Sequence, residues 1–264
     1  MRMSRRLASF SNGGFKYTYT GTSSFVGDPK NDWILYLTGT GTLNIQGFPK
    51  GKLIDVCVIG GGGNGASASV SGYGLGGGGG GGGGGMAYKT SILPTKNTDY
   101  SITVGGANAD STAFGMTGGK GANGSRGGST GQSYAGGGGG NGGTGTGGTT
   151  NVSGAKGGSG DASYDQSGGG KGANGNYAFG DSTLDGNRYG ASGGGGGINS
   201  TSGGAGGTTG GGKGANGKGN GYAASAYGSG GGGHGGMFDY SSHTFNYSGG
   251  SGAKGVVIIR NHRQ

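Results

Sequence analysis

Ile59 is followed by Gly60-Gly-Gly62-Gly-Asn-Gly65, glycines spaced as in a dinucleotide-binding turn, where the backbone must approach a pyrophosphate. That chemistry also needs a helix after the third glycine and an acidic residue about 20 positions on. Residues 66–85 are rich in Gly, Ala and Ser, and no Asp or Glu lies between Val56 and Thr98. The nucleotide reading therefore fails. Lys120, Lys171 and Lys213 each follow a glycine, but each precedes glycine rather than the Ser or Thr of a phosphate-binding loop.

Other chemistry is equally thin. Cys57 sits inside an apolar run and reads as a small buried hydrophobe, and the three histidines (His234, His243, His262) lie far from it along the chain. One cysteine excludes a disulfide scaffold. All ten acidic residues are Asp, and Asp161, Asp165, Asp181 and Asp185 lack calcium-loop spacing. No metal, cofactor or catalytic residue is expected, and the chain does not read as an enzyme. The net charge is +9, yet only Arg126-Gly-Gly128 has the form of an Arg-Gly-Gly RNA-binding unit, so no nucleic-acid partner is expected. Arg2, Arg5 and Arg6 form a basic N-terminal arm over 1–14, a candidate docking arm. No run of 18 apolar residues predicts membrane insertion, and the N-terminus lacks the apolar stretch of a secretory signal.

The chain consists of two materials. Of 264 residues, 84 are glycine and 3 proline, which excludes collagen. Apolar residues concentrate in short runs at 15–20, 33–38, 43–45, 52–59, 87–93, 100–104 and 256–260. These runs are β-branched or aromatic and bounded by Gly or Pro, so they read as strands. The segments 15–60, 86–104 and 255–261 are expected to form a small antiparallel, jelly-roll-like β-sandwich. The last strand returns across the whole glycine insert.

Segments 61–85 and 105–254 are organised rather than random. Gly-Lys-Gly-Ala-Asn-Gly occurs at 119–124, 170–175 and 212–217, and solid glycine runs occupy 76–85, 136–140, 193–197 and 230–233. Polyglycine can form an extended threefold helix whose N–H and C=O groups point outward in three directions. Without Cβ atoms, such helices can approach and bond to one another. The expectation is a mainly-β protein whose glycine-rich insert forms a polyglycine II helix bundle. Valine at Gly138 is expected to disrupt it.

Aromatic and polar segments interrupt the glycine runs. They nominate Tyr164, Asp165, Tyr177, Phe179, Asp181, Asp185, Arg188, Tyr189, Phe238, Tyr240, His243, Phe245 and Tyr247 as loop residues. Two readings stand: the loops present a binding surface on a rigid frame, or their aromatics cap and flank the bundle.

The strand 53–59 running into Gly60-Gly-Gly-Gly63, the 76–85 tract, Met86-Ala-Tyr-Lys-Thr90, Tyr100-Ser-Ile-Thr-Val-Gly105 and the closing Gly-Ala-Lys-Gly-Val-Val-Ile-Ile259 carry a resemblance. The pattern resembles the glycine-rich domain proteins of phages and prophages. Polyglycine bundles also occur in the distal adhesins of T-even-like tail fibres, and beside a jelly-roll in anaplastic-lymphoma-kinase-type receptors. The resemblance implies a non-enzymatic tail fibre or tip protein of the virion, extracellular after host lysis. Its implied partners are other virion tail proteins and a host cell-surface receptor, either glycan or outer protein, and by analogy it would assemble as a homotrimer. Two rivals remain: a bacterial cell-surface or matrix protein, and a glycine-rich RNA-associated protein.

Overall fold

The structure, a computed structural model, describes residues 6–8, 14–49, 51–128, 136–161, 168–199 and 201–262. The apolar runs are strands: Lys16–Tyr19, Trp33–Leu37, Gly41–Gly47, Ile54–Ile59, Met86–Ile92, Asp99–Ile102 and Val256–Asn261. They form two antiparallel sheets. One has the order Arg6–Ala8, Lys16–Tyr19, Gly41–Gly47, Asp99–Ile102. The other has the order Thr150–Val152, Met86–Ile92, Ile54–Ile59, Val256–Asn261, Trp33–Leu37, Ser23–Gly27. The returning strand Val256–Asn261 pairs with both Ile54–Ile59 and Trp33–Leu37, at the centre of the larger sheet.

Alternation along the strands divides the side chains between two cores. Tyr17, Tyr19, Leu43, Ile45 and Ile102 of the smaller sheet meet Leu35, Leu37, Val56, Val58, Val257 and Ile259 of the larger. The opposite face of the larger sheet presents Ile34, Cys57, Ile59, Met86, Val256 and Ile258 to a second cluster. Burial on both faces explains why Ile54–Ile59 reads as a continuous apolar run rather than an alternating one. The protein is thus mainly β, with a sandwich at its base.

Several strands carried no clear signal, among them Arg6–Ala8, which pairs with Lys16–Tyr19 inside the segment read as an arm. Ser23–Gly27 is a half-exposed edge strand, and Thr150–Val152 joins the sandwich from within the glycine-rich insert.

The glycine run 76–85 is the axis of the bundle, and its hydrogen bonds repeat every third residue. The N–H groups of Gly76, Gly79, Gly82 and Gly85 donate to Gly128, Ser125, Ala122 and Gly119. Those of Gly77, Gly80 and Gly83 donate to Asp161, Gly158 and Ala155. Those of Gly78, Gly81 and Gly84 donate to His234, Gly231 and Gly228. All ten lie at 2.7–3.2 Å. The carbonyls follow the same rule: segment 60–66 donates to Gly85, Gly82 and Gly79, segment 137–143 to Gly77, Gly80 and Gly83, and segment 193–196 to Gly81 and Gly78. One extended chain therefore has six neighbours, three reached by its donors and three by its acceptors. That is the threefold geometry of polyglycine II. The buried N–H and C=O groups are satisfied between chains, in a core built from backbone.

The lattice is closed to side chains. A Cβ on Gly80 would meet the Gly193 carbonyl well inside van der Waals distance, and one on Gly79 would meet Gly138 O. Gly138 itself differs from the sequence-based expectation. It is exposed, and a Cβ there would meet only Ser125 Oγ, at 3.3 Å. Its position at the rim removes the reason for valine to break the bundle.

Candidate functional site

The hydrogen-bond register assigns each segment end to one end of the bundle. Gly60, Gly85, Gly119 and Gly228 lie at the sandwich end, and Ala66, Gly76, Gly128, Asp161 and His234 at the far end. The nominated loop residues separate accordingly.

Residues 176–189 lie at the sandwich end and fold back onto the outer face of the larger sheet. Phe179 and Tyr189 are buried with Ala178 and Leu184 against Cys57, Ile59 and Ile258. Tyr36 Oη donates to Asp185 Oδ2 at 2.8 Å, and Tyr189 Oη donates to the same oxygen. Burial, reinforced by the Asp185 carboxylate, raises both phenol pKa values. Arg188 stacks on Tyr177 at 4.2 Å and donates to Gly175 O. Asp181 accepts from Thr183 and from Arg260 Nη1, the latter at 2.7 Å. Those bonds, the Thr183 hydroxyl first, lower its pKa to about 2. Arg260 also covers the Phe179 ring at 4.3 Å and donates through Nε to the buried Asp55 at 3.0 Å. Asp55 and Arg260 are direct cross-strand partners. This segment is a clamp between bundle and sandwich, and the side chains of Phe179 and Tyr189 face protein. Burial likewise pushes the Cys57 thiol up to about 12.

The far end carries a two-stranded ribbon, Ala68–Leu75 paired with Met237–Tyr247. Met237 to Tyr247 reads from sequence as an irregular interruption, but most of it pairs in register. Between the pairs Phe238↔Gly74 and His243↔Gly72 the register shifts, leaving Asp239, Tyr240, Ser241 and Ser242 opposite Tyr73. The ribbon roots in a small core of Ala68, Leu75, Met237 and Phe245, with Tyr247 against it. His234 is fully buried beneath, its ring 6.5 Å from that of Tyr247, and its Nε2 has no hydrogen-bond partner. Burial lowers the His234 pKa. For Phe238, Tyr240, His243 and Arg6 the backbone position is described; Arg6 opens the edge strand Arg6–Ala8. Tyr164, Asp165, Arg2 and Arg5 lie outside the described residues.

Sequence reasoning passed over the role of the repeated asparagines. In each Gly-Lys-Gly-Ala-Asn-Gly copy the Asn side-chain oxygen accepts a backbone N–H from another segment. Asn123 takes Asn64 N at 2.8 Å, Asn174 takes Thr208 N at 2.8 Å, and Asn216 takes Gly203 N at 2.9 Å. With three residues per turn, Lys and Asn three apart fall on one row of the helix. All six of these side chains are exposed. The repeat was therefore legible as a period of three.

The family model for the glycine-rich domain matches residues 38–262. The chain belongs to the glycine-rich domain family. No curated protein sequence matches it. The matched span of this glycine-rich domain protein runs from the middle of the sandwich through every bundle segment to the returning strand. Among the described residues, no group of three His, Cys, Asp or Glu is placed to hold a metal ion, and no helix is long and apolar enough to cross a membrane.

Proposed function

We propose that this glycine-rich domain protein is a phage tail component, of the fibre or the tip, that presents loops for attachment to a host surface. The observation that carries the reading is the opposition of its two ends. A β-sandwich occupies one end, and an aromatic-bearing ribbon, Ala68–Leu75 with Met237–Tyr247, occupies the other. A backbone-bonded bundle separates them, and a preordered frame loses little conformational entropy when its loops bind. The contact set in this reading is Phe238, Tyr240, His243 and Tyr247, with Tyr164 and Asp165; Phe245 is buried in the core of the ribbon and is no part of it. The sandwich and the arm residues Arg2, Arg5 and Arg6 would dock on other tail proteins, and the receptor is a surface glycan or an outer protein.

Immunogold labelling of particles released by prophage induction tests this. Gold at tail fibres or tips is the expected result. Gold confined to the cell envelope sinks the proposal in favour of a surface-matrix protein.

A further inference from the structure

At the base of the sandwich, three side chains distant in sequence meet. The strand Met86–Ile92 slips register against Ile54–Ile59 between Ile54 and Val56, so Thr90 and Ser91 both lie opposite Asp55. Such a bulge re-aims a side chain. Ser91 takes the left-handed conformation, φ 58°, which a serine rarely adopts. Its exposed hydroxyl then lies 3.2 Å from His262 Nε2. His262 Nδ1 lies 2.7 Å from Asp55 Oδ1, and Asp55 is 1% exposed.

The hydrogen bonds fix the proton positions. Asp55 is ion-paired through Oδ2 with Arg260 Nε, and its Oδ1 accepts the Ser91 N–H at 3.0 Å. A carboxylate offers no proton, so Nδ1 of His262 must donate to it. A neutral imidazole then has its lone pair on Nε2, facing Ser91 Oγ. Nucleophile, base and orienting acid thus stand in the relation that activates serine in hydrolases, and that relation is recognised by geometry rather than by order along the chain.

We propose that Ser91, His262 and Asp55 form a hydrolytic triad that cleaves small acyl esters. Ser91 Oγ attacks the ester carbonyl carbon and its proton passes to His262 Nε2. The bond from that carbon to the alcohol oxygen breaks, and the alcohol leaves with the proton. Water then attacks the acyl–Ser91 ester, giving one proton to His262 Nε2, which returns it to Ser91 Oγ as the carboxylic acid departs. Asp55 is the positioning residue. His262 also borders a recess of about 520 Å³ lined by Asn31, Asp32, Phe48, Lys52 and Asn261, and Ser91 stands outside that lining.

The test is a fluorophosphonate probe on the full chain, with the adduct located by peptide mass spectrometry and turnover of p-nitrophenyl acetate followed in parallel. One adduct at Ser91 is expected, absent in Ser91→Ala, whose exposed position keeps the fold intact. His262→Gln should slow labelling about 100-fold or more. Circular dichroism confirms that each variant is folded. No adduct at Ser91 in folded protein, an adduct elsewhere only, or an unchanged rate in His262→Gln overturns the proposal.

Discussion

Gly80 donates its N–H to the Gly158 carbonyl at 2.9 Å, and three residues later Gly83 repeats the bond to Ala155 at 2.8 Å. Between them the chain has turned once and addressed two other neighbours. The cohesion of this half of the molecule depends on backbones lying close enough to bond on every side, which only glycine permits along the axis.

A single methyl group on that axis should therefore be costly. Gly80→Ala places a carbon against the Gly193 carbonyl, and overpacking of this kind costs roughly 3 kcal/mol. Gly138→Ala, with only Ser125 Oγ at 3.3 Å to meet, should stay within about 0.5 kcal/mol of the parent. Thermal unfolding and protease resistance of the two variants measure the contrast. Equal effects would mean that the lattice does not carry the stability.

The repeated asparagines should contribute without packing. Each offers its side-chain oxygen to a backbone N–H of another segment. A net hydrogen bond is worth about 1 kcal/mol, so Asn123→Ala, Asn174→Ala and Asn216→Ala together should cost roughly 3 kcal/mol. Hydrogen exchange at Asn64, Thr208 and Gly203 reports the loss bond by bond. Unchanged protection at these amides would remove the asparagines from the account.

The sandwich was legible because its strands alternate or form apolar runs bounded by Gly and Pro. The edge strand Ser23–Gly27 was not, since half-exposed Ser-Ser-Phe-Val carries little pattern. The glycine lattice was legible in kind from the solid runs, but which segments are neighbours depends on long-range register that no local pattern records. For the segment 176–189 the sequence left two readings open, since Tyr177, Phe179, Asp185 and Tyr189 have the mixed character of an exposed loop, and the structure takes the packing one. What buries Phe179 and Tyr189 is the outer face of Ile54–Ile59 and Val256–Asn261, whose continuous apolar runs name no partner. The Ser91–His262 contact spans 171 residues and depends on a bulge, so neither spacing nor motif could show it.

Acid should loosen the far end first. His234 is buried, its Nε2 has no partner, and its pKa lies below the ordinary 6.5 because burial disfavours the cation. Below about pH 6.5 the unfolded chain takes up a proton that the folded chain resists, so stability falls as pH drops through that value and is fully present above it. His234→Phe should flatten the dependence between about pH 6.5 and 5. Stability of the parent followed by denaturant titration across that range decides it, and a parent without such a slope would show that the imidazole charges freely in place.

The clamp should fail in a lower window. Asp181 is held near pKa 2 by the Thr183 hydroxyl and by Arg260, against an ordinary 3.8. A depressed carboxylate contributes its stability above the unfolded value and loses it as pH falls from about 4 to about 2. Protonation there releases Arg260 Nη1, while Nε keeps its bond to Asp55. The Phe179 ring beneath the guanidinium would then be uncovered while the sandwich persists. Asp181→Asn should reproduce that state at neutral pH. Cys57, whose thiol packs in the same cluster, becomes the reporter. Its reaction with a thiol reagent at pH 8 should be slow in the parent and accelerate in Asp181→Asn, without loss of the far-ultraviolet β signal. Equal rates in the two proteins would show that the hydrogen bonds of Asp185 hold the segment 176–189 without help from Arg260.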